Sequence, residues 1–229
     1  IAGSDWSSDV CSSDLFAEVS TLNYGKLSYQ LQKYEEAARA FETLEQIAQL
    51  GNNKLEGSLG KMRSFYKMQD YRSALAACNG LLDSPAMQDG TLKTVVKREM
   101  EYIKAKSLLG VEERDGANTL LEKLAKDPSD SYGAEAAWLL IVDAYDAGEF
   151  EKVEERTFAL SESQTPQTYW LAMTFITLGD SYAERDNLEQ AKATFESIKE
   201  NYTPAGPQDD IIGQVEMRLS KLEGLDSNK

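Results

Sequence analysis

Residues that could carry out chemistry are scarce in this chain of 229 residues. It contains no histidine, so neither a histidine-based catalytic triad nor an imidazole metal site can be built. Its two cysteines, Cys11 and Cys78, are too few for a four-cysteine zinc site or a disulfide scaffold. Without a histidine to activate its thiol, Cys78 is expected to be a small hydrophobic residue rather than a nucleophile. We therefore expect no enzyme, no cofactor and no metal site.

Carboxylates are the abundant reactive groups, because 39 acidic residues face 24 basic ones and give a formal net charge of −15. The densest run is Glu149, Glu151, Glu154 and Glu155. It lacks the Asp/Asn ladder and the glycine of an EF-hand loop, so it is typical of a solvated helix start rather than a cation site. An acidic chain repels polyphosphate, which argues against nucleic-acid binding. No apolar run approaches the roughly 18 residues of a membrane span.

Long amphipathic runs begin at Phe16 and alternate with short breaks at Gly, Asn, Pro and Asp. Apolar residues recur at spacings of three and four, which predicts helices, while sustained two-residue alternation is absent and strands are not expected. One such stripe comprises Tyr34, Ala37, Ala38, Phe41, Leu44 and Ile47. Four prolines follow amphipathic runs, where helices are expected to end: Pro85, Pro128, Pro166 and Pro204.

A short pattern recurs along these helices: a bulky residue, two others, a small residue, three others and a second bulky residue. Its small residues are 37, 43, 36 and 38 positions apart, at Ala37, Ala74, Ala117, Val153 and Ala191. The clearest copy is preceded by Phe175-x2-Leu178-Gly179-x2-Tyr182. Such a period predicts stacked helix pairs in which the small residue lets the two helices approach closely.

This pattern resembles the tetratricopeptide repeat, W-x2-L-G-x2-Y followed by A-x3-F and P, over about residues 16–204. The similarity is good in the first and fifth copies and poor in the third. The resemblance implies an all-α fold, a right-handed superhelical solenoid of about five antiparallel helix pairs at residues 16–207. An apolar face that includes Ile211, Val215 and Leu219 predicts a C-terminal capping helix over residues 208–222. Residues 223–229 are expected to be disordered.

The first 15 residues differ from the rest, because Ser and Asp dominate and Ser-Ser-Asp occurs twice. Residues 4–15 resemble a translated sequencing adapter, in which case the chain is the C-terminal fragment of a longer bacterial array. The alternative is a natural Ser/Asp-rich linker. Both interpretations predict that residues 1–15 are disordered and lie outside the repeats.

The resemblance also implies a non-catalytic scaffold that binds a protein or peptide in a concave groove lined by the first helix of each pair. Matching the groove positions predicts a partner-binding set of Lys26, Tyr29, Arg63, Tyr66, Lys67, Tyr102, Lys106, Trp138 and Tyr145. Cations interleaved with tyrosines favour an acidic or carboxylate-terminated ligand. The alternative is that these are ordinary solvated side chains. Trp138 fits a groove anchor and a core residue equally, whereas Trp170 is expected in the core.

One junction between repeats carries a second resemblance. Pro128 followed by Ala134-Glu135-Ala136 is similar to junctions in bacterial envelope repeat proteins, those of outer-membrane assembly and of the Tol–Pal system. This implies an alternative function, a structural subunit that docks through broad surfaces. It also implies a periplasmic or outer-membrane-associated location, with the cytoplasm as the other possibility. An exposed apolar surface on the convex side would favour this alternative.

Overall fold

The computed structural model describes residues 12–84 and 94–226, and eleven α-helices are found there. Their bounds are α1 Ser12–Gln30, α2 Tyr34–Ile47, α3 Gly51–Lys67, α4 Tyr71–Leu82, α5 Thr94–Gly110, α6 Arg114–Leu124, α7 Ser131–Asp146, α8 Phe150–Glu162, α9 Thr168–Glu184, α10 Leu188–Asn201 and α11 Ile211–Asp226. This part of the chain contains no strand, which confirms the all-α prediction. Cys11, Pro85 and residues 1–11 of the Ser/Asp-rich stretch lie outside the described residues.

The structure differs from the predicted boundaries at both ends of the chain. α1 begins at Ser12 rather than Phe16, with Asp14 in its first turn, where a carboxylate interacts favourably with the helix dipole. α11 begins at Ile211, three residues after the predicted start, because the Asp209 carboxylate accepts the Ile211 backbone N–H at 3.2 Å. It continues to Asp226, so residues 223–226 are helical rather than disordered. Each residue added to a docked helix gains a further backbone hydrogen bond.

The chain divides into two compact units, residues 1–117 and 118–229. In the first unit, consecutive helices from α1 to α5 pack on each other, and α3 also contacts α1 and α5. In the second unit, consecutive helices from α7 to α11 pack on each other, and α9 also contacts α7 and α11. These contacts are those of stacked helix hairpins, in which α1/α2, α3/α4, α7/α8 and α9/α10 are the pairs, and α5 is followed by α6 through the same kind of turn. α11 covers α9 and α10, as expected for a capping helix.

Each hairpin turns in the same way. A left-handed residue with φ between 57° and 72° stands two positions before the second helix, at Gln32, Gln69, Glu112, Gly148 and Asp186. The next residue donates its backbone N–H to a carbonyl five positions earlier, as in Lys33 to Ser28 at 2.9 Å. This Schellman arrangement satisfies the last carbonyls of each first helix. Only Gly148 among the five has no side chain to strain the left-handed conformation.

The predicted repeat register is confirmed by burial. The five small residues of the second helices, Ala37, Ala74, Ala117, Val153 and Ala191, have no exposed surface. The bulky positions four residues later are at most 4% exposed, at Phe41, Cys78, Leu121, Thr157 and Phe195. Each hairpin is therefore held by one small buried residue and one side chain that fills the remaining space.

The residue on the first helix is small where the bulky position of the second helix holds a large side chain, and large where that position holds a small one. Gly179 of α9 lies against Phe195, and a Cβ at position 179 would overlap that ring. In the second hairpin Met62 and the smaller Cys78 share one buried cluster, so the large residue is on the first helix instead. The volume between the two helices is thus filled from either side.

A buried carboxylate joins the first two hairpins. Glu18 of α1 accepts the Gln49 backbone N–H and the Asn53 side-chain N–H, each at 2.8 Å. These hydrogen bonds, the one from Gln49 foremost, lower the pKa of Glu18. The ionised Glu18 carboxylate therefore holds the start of α3 next to α1.

The contact between Gly179 and Phe195 predicts the sign of a mutational effect. Gly179→Ala should destabilise the protein by about 1–3 kcal/mol, because the added methyl group overpacks the hairpin. Urea unfolding of the variant measures this loss, and the added change Phe195→Leu should recover part of it. In exposed Gly80 of α4 a Cβ would meet nothing within 4 Å, so Gly80→Ala should instead stabilise by about 0.5–1 kcal/mol. Equal stabilisation by both alanines would contradict the close approach.

Candidate functional site

The predicted cations and tyrosines of the first unit come from three first helices that lie side by side, α1, α3 and α5. We call this set the first-helix face: Lys26, Tyr29, Arg63, Tyr66, Lys67, Tyr102 and Lys106. Part of the set surrounds a cavity of 170 Å³, which is lined by Lys26, Tyr29, Gln30, Phe41, Glu56, Gly60 and Arg63. The structure therefore brings residues 37 positions apart in sequence, Lys26 and Arg63, to one site.

The tyrosines of this face make different contacts. The rings of Tyr66 and Tyr102 meet edge to face with centroids 6.4 Å apart, and the Lys106 Nζ lies 6.0 Å from the Tyr102 centroid. Tyr29 instead packs edge to face on Tyr34 at 5.3 Å. α3 and α5 thus share a continuous aromatic and cationic surface, whereas Tyr29 is partly used to hold its own hairpin.

Two predicted cations are paired with carboxylates of the next hairpin. Lys26 lies 3.2 Å from Glu56, and both side chains are about half exposed. Arg63 donates to both carboxylate oxygens of Glu99, at 2.7 and 2.5 Å, and this pair is less exposed. The hydrogen bond to Glu99 raises the pKa of Arg63, against the opposing effect of burial. The sequence pattern placed Lys26 and Arg63 on this face but did not predict that they pair with carboxylates.

Pairing changes the charge of the first-helix face. Glu56 and Glu99 offset Lys26 and Arg63, so these two cations add little net positive charge. Lys67 is exposed, and no carboxylate of the described residues pairs with it. Lys67 is therefore a cation of this face whose hydrogen-bonding capacity is open to a ligand.

In the second unit Trp138 and Trp170 form one aromatic cluster. Their ring centroids are 5.2 Å apart, the Trp138 Nε1 donates to the Thr177 Oγ1 at 3.4 Å, and Trp170 meets Tyr169 edge to face at 5.0 Å. Both indoles are only partly buried. The expectation that Trp170 lies in the core was wrong, because its position in the first turn of α9 brings it against Trp138 of α7.

Tyr145 has a packing role. Its ring meets Phe150 edge to face at 6.1 Å, and it covers the buried core of the second unit. Burial, followed by the negative charge of Asp180, raises the pKa of Tyr145. Asp180 itself forms a bidentate pair with Arg218 at 2.7 and 2.8 Å, which joins α9 to α11. An ion pair thus also links a first helix of this unit to a following helix. Here the first helix supplies the carboxylate and the following helix supplies the guanidinium.

The remaining reactive groups are inert or dispersed. Burial raises the pKa of the Cys78 thiol to about 12, so the thiol stays protonated at neutral pH. Over residues 12–84 and 94–226, no three His, Cys, Asp or Glu side chains cluster closely enough to hold a metal ion. Within the same residues, no helix has the length and apolarity needed to cross a membrane.

The two ion pairs of the first-helix face differ in their expected stability. Arg63→Met should cost about 1–3 kcal/mol, because Glu99, 18% exposed, loses both of its charged hydrogen bonds. Lys26→Met should cost less than about 1 kcal/mol, since that pair is well solvated. Urea unfolding measures both values, and Arg63→Met/Glu99→Leu should recover part of the larger loss. Equal losses of stability in the two single variants would show that the Arg63–Glu99 pair stabilises the fold no more than the exposed Lys26–Glu56 pair does.

Comparison with known proteins agrees with the hairpin architecture. Residues 169–203, which comprise nearly all of α9 and α10, match the family model of the tetratricopeptide repeat. No curated protein and no solved structure matches the chain. Repeats of this family bind proteins or peptides and are generally non-catalytic. The match identifies one tetratricopeptide repeat at residues 169–203, and the similar hairpins that precede it support a helical-repeat protein of the tetratricopeptide type.

Proposed function

We propose that this chain is an interaction scaffold that binds an extended acidic segment of a partner protein on the first-helix face. The observations that support it are the convergence of cations and a tyrosine from α1 and α3 at one cavity, and the aromatic and cationic contacts between α3 and α5. Flat amphipathic rings offer contact area to a peptide backbone, and cations offer ion pairs to its carboxylates.

The ion pairs give the three cations Lys26, Arg63 and Lys67 different roles in the proposed binding. The Lys26–Glu56 pair is about half exposed and so is held weakly, which lets a ligand carboxylate replace Glu56 at little cost. Lys67 needs no such exchange. Arg63 is held by Glu99 in two hydrogen bonds and joins α3 to α5, so it keeps Tyr66 and Tyr102 in register. Lys26 and Lys67 are accordingly the ligand-binding cations, and Arg63 is a positioning residue.

The aromatic pair of the second unit is a second candidate contact for the partner. Trp138 and Trp170 present partly exposed indoles on the first-helix side of α7 and α9. Large amphipathic rings of this kind are frequent anchors in interfaces. Tyr145 is not included, because its ring is engaged with Phe150 and the core.

A charge-reversal experiment tests the first-helix face. Fluorescence anisotropy of the full chain with a library of acidic peptides, each with a free or an amidated C-terminus, selects the tightest probe. Lys26→Glu/Lys67→Glu should weaken that probe by roughly tenfold or more, which corresponds to 1.4 kcal/mol. Increasing salt should weaken the wild-type complex as well, because the contacts are solvent-accessible ion pairs.

The matched control is Arg39→Glu/Arg72→Glu, which makes the same change of net charge on the second helices α2 and α4. Both arginines are exposed there. Equal weakening by the control pair would mean that net charge alone governs binding, and unchanged affinity of Lys26→Glu/Lys67→Glu would also refute the proposal. A preference for the free C-terminus identifies a carboxylate-terminated ligand, and indifference to amidation identifies acidic side chains.

A structural subunit of a bacterial envelope complex is a second candidate function. It is favoured by an apolar groove on the second-helix side of the second unit, lined by Phe158, Phe175 and Tyr202 among others. Broad docking surfaces of this kind are apolar. Fractionation of cells that carry the native gene tests the location: recovery with the envelope supports this function, and recovery with the cytosol rejects it.

A further inference from the structure

The second-helix side of the second unit carries a groove between α8 and α10, with α9 as its floor. We call it the α8/α10 groove. Its volume is 540 Å³, and no lining residue is charged: Phe158, Thr168, Leu171, Ala172, Phe175, Leu178, Tyr182, Gln190, Ala193, Thr194, Ser197, Ile198, Asn201 and Tyr202. Phe158 is 44% exposed, so its ring is accessible in the groove.

Two equivalent grooves occur between other second helices, and we call both polar because charged side chains line part of them. The one between α2 and α4 has a volume of 360 Å³ and contains the ion pair of Lys61 on α3 with Glu45 on α2. The one between α6 and α8 has a volume of 340 Å³ and is bridged by Arg156 and Glu122 at 2.5 Å. The α8/α10 groove differs from both because no ion pair closes it.

The difference can be assigned to one repeat position. Five residues after the small buried residue, the polar grooves carry Glu42 and Glu122, whereas the α8/α10 groove carries Phe158. A glutamate at this position is therefore compatible with the hairpin fold. Packing within the hairpin does not require Phe158, so its ring is available to an apolar ligand.

Carboxylates border the groove on both helices. Glu155 and Glu162 lie one turn before and one turn after Phe158 on α8, and Glu189 and Glu200 lie one turn beyond Ala193 and Ser197 on α10. All four are exposed, and none has an ion pair with any described residue. The lysines of α10 are engaged elsewhere, Lys192 with Glu196 at 3.9 Å and Lys199 with Glu216 at 2.9 Å. The border of the groove is thus negative.

We propose that the α8/α10 groove binds a basic amphipathic helix of a partner protein. Apolar side chains at helical spacing would fill the groove beside Phe158, and flanking Lys or Arg residues would pair with the bordering carboxylates. α8 has 13 residues and is about 20 Å long, so the groove suits a helix of three to four turns. This proposal concerns a surface other than the first-helix face and does not depend on it.

A second copy of this chain is the less suitable occupant. α1 carries exposed apolar residues along one face, with Phe16, Val19 and Leu27. Its charged residues include Asp14 and Glu18, with Lys26 the one basic residue of the helix. Such a helix lacks the flanking positive charges that the negative border of the groove selects.

Two designed peptides of 16 residues serve as probes, with the same leucine stripe at helical spacing and either lysines or glutamates beside it. Anisotropy with the full chain should show binding of the basic peptide and at least tenfold weaker binding of the acidic one. Phe158→Glu should weaken the basic peptide at least tenfold although it adds a negative charge. It installs the residue that the polar grooves carry, so the variant should fold, and an unchanged circular dichroism melting curve verifies that.

Charge reversal tests the border independently. Glu155→Lys/Glu162→Lys should weaken the basic peptide at least tenfold and strengthen the acidic one, whereas the control Glu42→Lys/Glu113→Lys should change neither beyond twofold. Tighter binding of the basic peptide by Phe158→Glu would mean unspecific attraction and overturn the proposal. Equal binding of both peptides would overturn it too. Association of the wild-type chain that Phe158→Glu abolishes, measured by sedimentation, would assign the groove to a second copy and reject a partner helix.

Discussion

The close approach of the two helices in each hairpin depends on one small, fully buried residue of the second helix. Ala37, Ala74, Ala117, Val153 and Ala191 all have no exposed surface. Where this residue is small, the space four positions later must be filled without a void, since protein interiors are closely packed. Phe195 fills it against Gly179, and Met62 fills it from the opposite helix beside Cys78. The repeat therefore conserves volume between the helices rather than residue identity.

Fixing the hairpin separates two kinds of surface. The side of the first helix that turns away from its partner carries the ion pairs between hairpins, such as Arg63–Glu99 and Asp180–Arg218. The side of the second helix carries grooves that ion pairs such as Arg156–Glu122 close. The two proposed ligand-binding surfaces lie where such a pair is weak or missing, at Lys26 and at Phe158.

The helices, their register and the buried positions could be predicted because they depend on spacing within the chain. The turns could not be recognised from residue type, because four of the five left-handed residues are Gln, Glu or Asp rather than glycine. The ion pairs could not be predicted from the repeat pattern, because each pair joins two different repeat positions of neighbouring helices. Lys26, for example, pairs with Glu56 and not with the residue at its own position in the next hairpin. Trp170 was misplaced since burial at the start of a helix depends on the neighbouring hairpin, here on Trp138.

The packing of the helices determines which of the many acidic residues are paired with cations and which are not. Glu56, Glu99 and Glu122 each neutralise a cation of a neighbouring helix, so their charges support the stacking and leave little net potential. The carboxylates beside the α8/α10 groove have no such partner among the residues that the structure describes, and their charge remains available at the surface. The net charge of −15 is thus distributed unevenly over the surface. Because exposed charges are screened over about 10 Å at moderate ionic strength, a ligand senses the local set of charges at its site rather than the total. The same acidic chain can therefore carry both proposed sites, one for an acidic segment at Lys26 and Lys67 and one for a basic helix beside Phe158.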